Sequence, residues 1–595
     1  MLLSKGLLQY KQPSLLKKKL SDEIIAILGG SEDAPLYPIP SFQATLQTTL
    51  VPEFGSGSLT PTFTRASTAY VQDWEAIHRR ALSGEARFQG SRRVNNFVVT
   101  SSRDVTSGYS FNNITTHTFD AGTGKSRLVP LGANSQFYQS ESLISGHTYV
   151  MSVKVQSNNG ASQTFNLYGQ GGTHTSPTVT ATTAEQRFSF TFTATATGAA
   201  NCAWLQTSNA GDFLVWDWQI EDVTGQSNQN PSEYVSVGVF SAPYHGANVD
   251  GVKYFNTLNG NTVASNVVTE ATGAPITSAN GSALITDAGG PFGYLSEGAR
   301  ADVLGTTTAI RRTMTDVGWV SGGGGITVGA AVGADGVADA GASLTATGAN
   351  GTILFTTVLG AAVRTYSALV RRKTGTGTVE MTKDGGTSWT ALTLTTTYKQ
   401  FQVVTASAAN PVVGFRIVTD TDAIEVDFNT LEAATFANPT PIPVNVSKAG
   451  DVLTYPTSGN FNTSTGTAFA ETLILSGTAG GRVIQDASDA SWALVIRDST
   501  KSQIFDGANS AITANAGSQT TVNKDATSWG GSTLRAVTNG GTIATGTFDG
   551  VMNMGANIAI GCNGAVVQLF GTIRRVVLWT KALASTLLIA KTRTL

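Results

Sequence analysis

The stretch FLVWDWQIEDVTGQSNQNPSEY, residues 213–234, sets apolar against polar side chains with a period of two and then dissolves into Gly, Ser, Asn and Pro. A strand facing a core on one side and polar surroundings on the other has this pattern, and small polar residues end it in a turn. About two hundred residues later AIEVDFNTLEAATFANPTPIPV, residues 423–444, makes the same transition. Two further phrases precede each copy in the same order. GHTYVMSVKVQSNNG (146–160) is answered by RTYSALVRRKTGTG (364–377), and TTAEQRFSFTFTATA (182–196) by TTTYKQFQVVTASA (395–408). Three ordered matches predict an internal duplication of one β-sandwich.

The pleat predicts which side chains share a face. In the first copy Leu214, Trp216, Trp218 and Ile220 fall on one side and Asp217, Gln219 and Glu221 on the other. In the second, Ile424, Val426 and Phe428 oppose Glu425, Asp427 and Asn429, with a one-residue bulge expected at Thr430 to bring Leu431 and Glu432 back into phase. The polar triad Asp217, Gln219 and Glu221 then either keeps a solvated face wet or hydrogen-bonds sugar hydroxyls, with Tyr168 or Trp204 as a stacking platform.

Composition supports a chain of strands and turns. Its 595 residues suffice for about four domains. Glycine numbers 65, about 11% of the chain against a usual ~7%, and charged residues make up 13% against roughly 25%. A formal charge of −2 gives no basic groove for nucleic acid, so no nucleic-acid partner is expected. Cys202 and Cys562 stand far apart and outside any CxxC pair, which predicts neither a disulfide framework nor a structural zinc. No run of 18 apolar residues occurs, so no membrane insertion is expected. MLLSKGLLQYKQ, residues 1–12, lacks the continuous apolar stretch of a signal peptide.

The expected fold is all-β: tandem β-sandwich (jelly-roll) domains after a short N-terminal helical/extended segment. That segment, 1–45, contains SDEIIAILGG, with Ser21 as N-cap and Gly29-Gly30 as stop. Residues 46–91 are expected to form a linker or neck, 92–224 the first jelly roll, 225–297 a β-rich connector, 298–444 the second jelly roll and 445–595 a third sandwich.

Chemical motifs are sparse. AGTGKSRL (121–128) ends like a phosphate-binding loop, but that loop needs a Gly where Phe119 stands. GGGGITVGAAVG (322–333) lacks the βαβ setting of a dinucleotide site. His78, His117, His147, His174 and His245 include no i, i+4 pair. Residues 459–595 contain no compact Glu-x-Asp-x-Glu strand that would set two carboxylates across a cleft for glycoside hydrolysis. No catalytic residue and no cofactor are therefore expected. Asp486 and Asp489 in IQDASDASW are candidates for a structural calcium ion, with a solvated turn as the simpler reading.

GEARFQGSRRVNNFVVTSSRD (84–104), GHTYVMSVKV (146–155) and FLVWDWQIEDVTGQSNQNPSEYVSVGV (213–239) resemble the modular fibre and spike proteins of tailed bacteriophages, whose jelly rolls are similar to carbohydrate-binding modules. NIAIG (557–561) followed by GTIRRVVLWTKAL (571–583) resembles concanavalin-like or laminin-G-like sandwiches. The resemblance implies a non-enzymatic virion protein made in the host cytoplasm, on head or tail, often a homotrimer. It would be attached to other virion proteins through residues 1–45 and bind host surface polysaccharide distally. Two alternatives are a capsid decoration that binds no glycan and a virion-borne glycan hydrolase. The second module opens SEGARADVLGTT (296–307) in place of the Arg-Arg-Val-Asn phrase, so no binding role is carried over to it.

Overall fold

A computed structural model describes most of residues 40–593. The stretches it leaves out within that span are chiefly 90–95, 99–103, 207–210, 225–228, 232–239, most of 242–292, 476–480, 489–492, 498–500, 514–520 and 564–566. The N-terminal helix expected from SDEIIAILGG lies outside the described residues. The protein is all-β, built of tandem sandwiches. No described helix is long and apolar enough to cross a membrane.

Two sandwiches share one strand order. In the first, one sheet runs His174–Thr175, Gln163–Gly169, Gly198–Gln206, Gln136–Leu143, Ser110–Asn112, and the other Gln186–Thr193, Thr148–Ser157, Phe213–Asp222, Lys125–Pro130, Ile114–Asp120. In the second, the sheets run Thr390–Ala391, Val379–Thr382, Val412–Ile417, Gly351–Thr356, Trp319–Gly323 and Lys399–Val404, Thr365–Thr374, Ala423–Glu432, Gly341–Ala346, Ile326–Ala331. Taken member by member, the two lists also agree in chain order. The first copy adds only the short strand Val179–Ala181. The phrases matched in the sequence occupy equivalent positions: the two closing strands sit centrally, each beside the strand that the Thr-Tyr phrase forms.

Both closing strands carry a bulge, and it moves the faces. Between Ser152 and Lys154 the register slips where Asp217 takes a φ of 54°, so Phe213 and Val215 reach the core before the bulge and Trp218 and Ile220 after it. Leu214 and Trp216 therefore do not share a face with Trp218 and Ile220, as strict alternation required. In the second copy the slip lies at Phe428, φ 49°, not at Thr430. Phe428 is thereby turned out of the sandwich core and packs with Ala334, Leu369, Tyr398 and Tyr70.

The third sandwich is discontinuous. One sheet runs Phe54–Gly55, Phe42–Thr45, Gly571–Trp579, Gly466–Ile474, Asn523–Gly530, Thr533–Thr538, Ala544–Thr547, with Gly293–Ser296 pairing on Gly571–Trp579 and carrying Phe88–Gln89. The other runs Thr62–Thr64, Val452–Pro456, Asn557–Ile560, Gly481–Asp486, Ala493–Arg497, Ser502–Phe505, Ser510–Ile512. Phe42, Phe63, Phe88 and Tyr294 lie in the same buried cluster as Trp529 and Ile573. Residues 46–91 are thus not a free neck. Their apolar side chains complete a core that the C-terminal strands alone leave open, and both jelly rolls are excursions from this one body.

The points of departure and return meet in a buried ionic cluster. Arg87 stands just before the chain leaves for the first jelly roll, Glu297 where it returns, and Lys448 and Asp451 where it returns from the second. Arg65 pairs with Asp451 at 3.0 Å, Arg87 with Glu297 at 2.6 Å and also with Asp451, and Lys448 with Glu297 at 3.4 Å, all with fully buried side chains. Lys448 donates to the Gly298 carbonyl at 2.7 Å, and the Glu297 N–H donates to Asp451 at 3.0 Å. Buried charges of this kind persist only when paired and hydrogen-bonded.

Candidate functional site

The outer face of the first jelly roll is set by register. On Gln163–Gly169, Gly198–Gln206 and Gln136–Leu143, the side chains of Phe165, Leu167, Cys202, Trp204, Phe137 and Leu143 enter the core. Alternation sends Tyr168, Ala203 and Tyr138 to the opposite face. Cross-strand pairing places these three in one row, Tyr138 opposite Ala203 and Ala203 opposite Tyr168, flanked by Ser110 and Thr175. The two tyrosines are half-buried, and the small side chain between them is buried. Two interstrand steps separate their backbones by roughly 10 Å.

Polar groups border the row. Asn166 donates to the Ser176 carbonyl at 2.8 Å. Gln136, one row away, has a buried Oε1 with no hydrogen-bond partner among the described residues. Ser140 and Asn201 pair on the other side. Burial first, and then the nearby Tyr138, push the Tyr168 hydroxyl above the ordinary phenol value. The arrangement offers two aromatic surfaces with amide and hydroxyl groups at their edges. Flat aliphatic faces with hydroxyl rims, the shape of a pyranose, fit such a surface.

Of the residues expected from the sequence, only Tyr168 belongs here. Trp204 is a core residue, stacked on Phe137 at 5.9 Å and fully buried, so it cannot meet a ligand. Asp217, Gln219 and Glu221 lie on the other sheet and are 3%, 0% and 4% exposed, so they do not wet a solvated face. Asp217 pairs with Lys154 at 3.3 Å, and Gln219 donates to Glu221 at 2.8 Å. Tyr138 was missed because its strand, QFYQSESL, carries no continuous apolar alternation; its role is visible only once Ala203 is seen between it and Tyr168.

The other candidates resolve into structure. Asp486 is buried, and its carboxylate accepts from the Ser488 N–H at 2.7 Å, from the Ser488 hydroxyl and from the Gly555 N–H, closing a turn. Asp489 lies outside the described residues. Among the described residues no three His, Cys, Asp or Glu side chains gather as metal ligands. AGTGKSRL forms a hairpin turn between Ile114–Asp120 and Lys125–Pro130, with Asp120 accepting from Gly122 and Thr123. Cys202 and Cys562 are free and buried, their thiols pushed up to about 12 by burial. In the second jelly roll the corresponding outer face carries an Arg416–Glu380 pair with Trp389 against the guanidinium, not a tyrosine pair.

No protein-family profile and no curated protein matches the chain. Among solved structures it is similar to a CBM4 module at 19% identity, over 19% of this chain and 77% of that one, with a TM-score of 0.17. It is similar to the tandem CBM22 modules of Paenibacillus barcinonensis Xyn10C at 11% identity, over 57% and 98%, with a TM-score of 0.19. The triple jelly roll of an archaeal virus turret is 10% identical over 82% and 90%, with a TM-score of 0.13. These neighbours are carbohydrate-binding-module and viral jelly-roll folds.

Proposed function

We propose that the protein is a glycan-binding surface component of a virion, a fibre or spike of a tailed bacteriophage, that engages host polysaccharide through the outer face of its first jelly roll. The observation that carries the reading is the Tyr138–Ala203–Tyr168 row with its amide borders. The role is binding, not catalysis. Attachment to other virion proteins falls to the residues before Phe42, because Phe42–Thr45 is a strand of the C-terminal sandwich.

Self-association, as a homotrimer, has its own support. In the second jelly roll the consecutive strands Trp319–Gly323 and Ile326–Ala331 end their sheets on the same side, and residues 317–334 contain no charge. Val317, Val320, Val328 and Val332 are exposed there. Unprotected edges usually carry charges that block pairing, and the equivalent strands of the first copy do include Asp120. Three copies on one fibre convert weak single-site binding into useful avidity.

The test is adsorption of purified protein to host cells, wild type against Tyr168→Ala, together with its mass in solution. Saturable binding that falls with the substitution supports the reading. Binding of neither protein to any host polysaccharide leaves a decoration without glycan affinity, and release of reducing ends from the polysaccharide leaves a hydrolase.

A further inference from the structure

The hairpin Ala69–Gln72/His78–Ala81 touches both jelly rolls, and a cleft of 360 Å³ lies where the three meet. The Arg79 guanidinium donates to the Thr224 carbonyl of the first jelly roll, the His78 N–H donates to the Ala334 carbonyl of the second at 2.9 Å, and Tyr70 packs edge-on against Phe428 at 5.0 Å. The junction is therefore built, and its volume falls in the range of small-molecule pockets.

His78 is the group its surroundings leave unsatisfied. The residue is 4% exposed and lines the cleft, yet its ring Nδ1 has no hydrogen-bond partner among the described residues. Buried polar atoms are rarely left so. Burial holds the imidazole neutral, lowering its pKa to about 4 against the pull of Asp335 and Glu297. The Nδ1 itself has almost no accessible surface, so a guest meets it only by a small shift of the wall; a neutral imidazole presents one donor and one acceptor, and a hydroxyl can complement either.

The walls select against charge. Carboxylates Glu221, Asp222 and Asp335 stand with guanidiniums Arg79, Arg80 and Arg312, three of each sign. Several are already committed: Arg312 to Asp335 at 2.7 Å, and Asp222 to His147 at 2.6 Å. An anionic or cationic guest would meet as much repulsion as attraction. Phe97 supplies apolar surface beside these polar groups, backed by the buried Tyr149 edge-to-face at 6.2 Å.

We propose that this cleft binds one neutral, polyhydroxylated ring of the monosaccharide class, clasped between the hairpin and both jelly rolls and distinct from the tyrosine row. The source is either a free sugar or the end of a longer glycan.

Saturation-transfer NMR on the full chain tests it, using methyl glycosides of glucose, galactose and mannose as probes, with glucuronic acid and glucosamine as charged counterparts. At least one neutral glycoside is expected to saturate, and the charged sugars to bind less well. Ser142 and Ile144 are exposed at the rim, so Ser142→Trp and, separately, Ile144→Trp occlude the cleft without altering the core. Each is expected to weaken binding roughly tenfold or more, with thermal unfolding unchanged, while Tyr168→Ala leaves it intact. Competition by host oligosaccharides assigns the site to a glycan end, and its absence assigns it to a free sugar. No saturation by any neutral glycoside at millimolar concentration, or saturation indifferent to both rim substitutions, overturns the proposal. Loss through Tyr168→Ala alone does so too, since it would place all binding on the tyrosine row.

Discussion

Asp451→Asn is the substitution that most directly tests how the two jelly rolls are held. The Asp451 carboxylate is fully buried, accepts from Arg65 at 3.0 Å, from Arg87 and from the Glu297 N–H at 3.0 Å, and has no solvent to replace them. Burial pushes its pKa up, but Arg87, Arg65 and Lys448 outweigh that and hold it below the ordinary carboxylate value. With the charge removed, Arg65, Arg87 and Lys448 share the single anion Glu297 in a site that excludes water. Breaking a buried pair in this way costs about 3–5 kcal/mol, most of it the penalty of an uncompensated cation. For a cooperative unit of roughly 150–250 residues that is a fall of about 6–20 °C in Tm. The chain holds several sandwiches, an architecture for which stepwise unfolding is expected, so calorimetry should resolve the transition of the C-terminal body, with limited proteolysis reporting opening at the junctions. The double variant Arg65→Met/Asp451→Asn should recover part of the loss, because it removes one stranded cation along with the anion. A shift below about 2 °C for Asp451→Asn, or strict additivity in the double variant, would refute the reasoning and leave packing of Phe42, Phe63 and Tyr294 as what holds the junction.

Further outcomes follow from the geometry. Tyr168→Ala should weaken glycan binding by about 1–2 kcal/mol, roughly 5- to 30-fold by titration, with the fold intact; Trp204→Ala should instead cost the first jelly roll about 3–5 kcal/mol in unfolding experiments, because Trp204 fills its core. The pKa of His78 is lowered to about 4 from 6.5, so its contribution is fully present above pH 6.5 and lost as pH falls toward about 4, roughly 3 kcal/mol in all. His78→Gln should flatten that limb of a Tm-versus-pH curve, and parallel curves would count against it. Glu432 runs the other way: burial raises it to about 7, so its contribution is complete below 4.5 and lost as pH rises toward 7, and Glu432→Gln should remove that decline. Asp486→Ala should cost about 1–3 kcal/mol through the unsatisfied Ser488 and Gly555 donors, and a chelator should leave the wild-type melting curve where it is.

The duplication was legible because it rests on local pattern. HTYVMSVKV and RTYSALVRR, or FLVWDWQIED and AIEVDFNTLE, are long enough for period-two alternation to register, and the two sandwiches place them in equivalent sheet positions. The faces were less legible. A bulge adds one residue to one strand, and the one opposite Val153 is decided by how Phe213–Asp222 meets its partner, not by anything within FLVWDWQIED. Leu214 and Trp216 were misplaced for that reason; Gln219 and Glu221 do oppose Trp218 and Ile220, but their side of the strand is buried, not solvated. Phe42–Thr45, Thr62–Thr64, Phe88–Gln89 and Gly293–Ser296 went unseen as parts of one body because two to four residues carry no period.

By itself, then, the sequence determined an all-β chain with a repeated jelly roll, since strand formation and turn punctuation are written in near neighbours along the chain. Tertiary structure alone decided that Trp204 is buried, that Tyr138 and Tyr168 share a row across Ala203, and that residues 42–89 close a sandwich finished almost five hundred residues later. Those outcomes depend on which strands lie side by side and in what register, and that adjacency is fixed by burying apolar surface between segments distant in sequence.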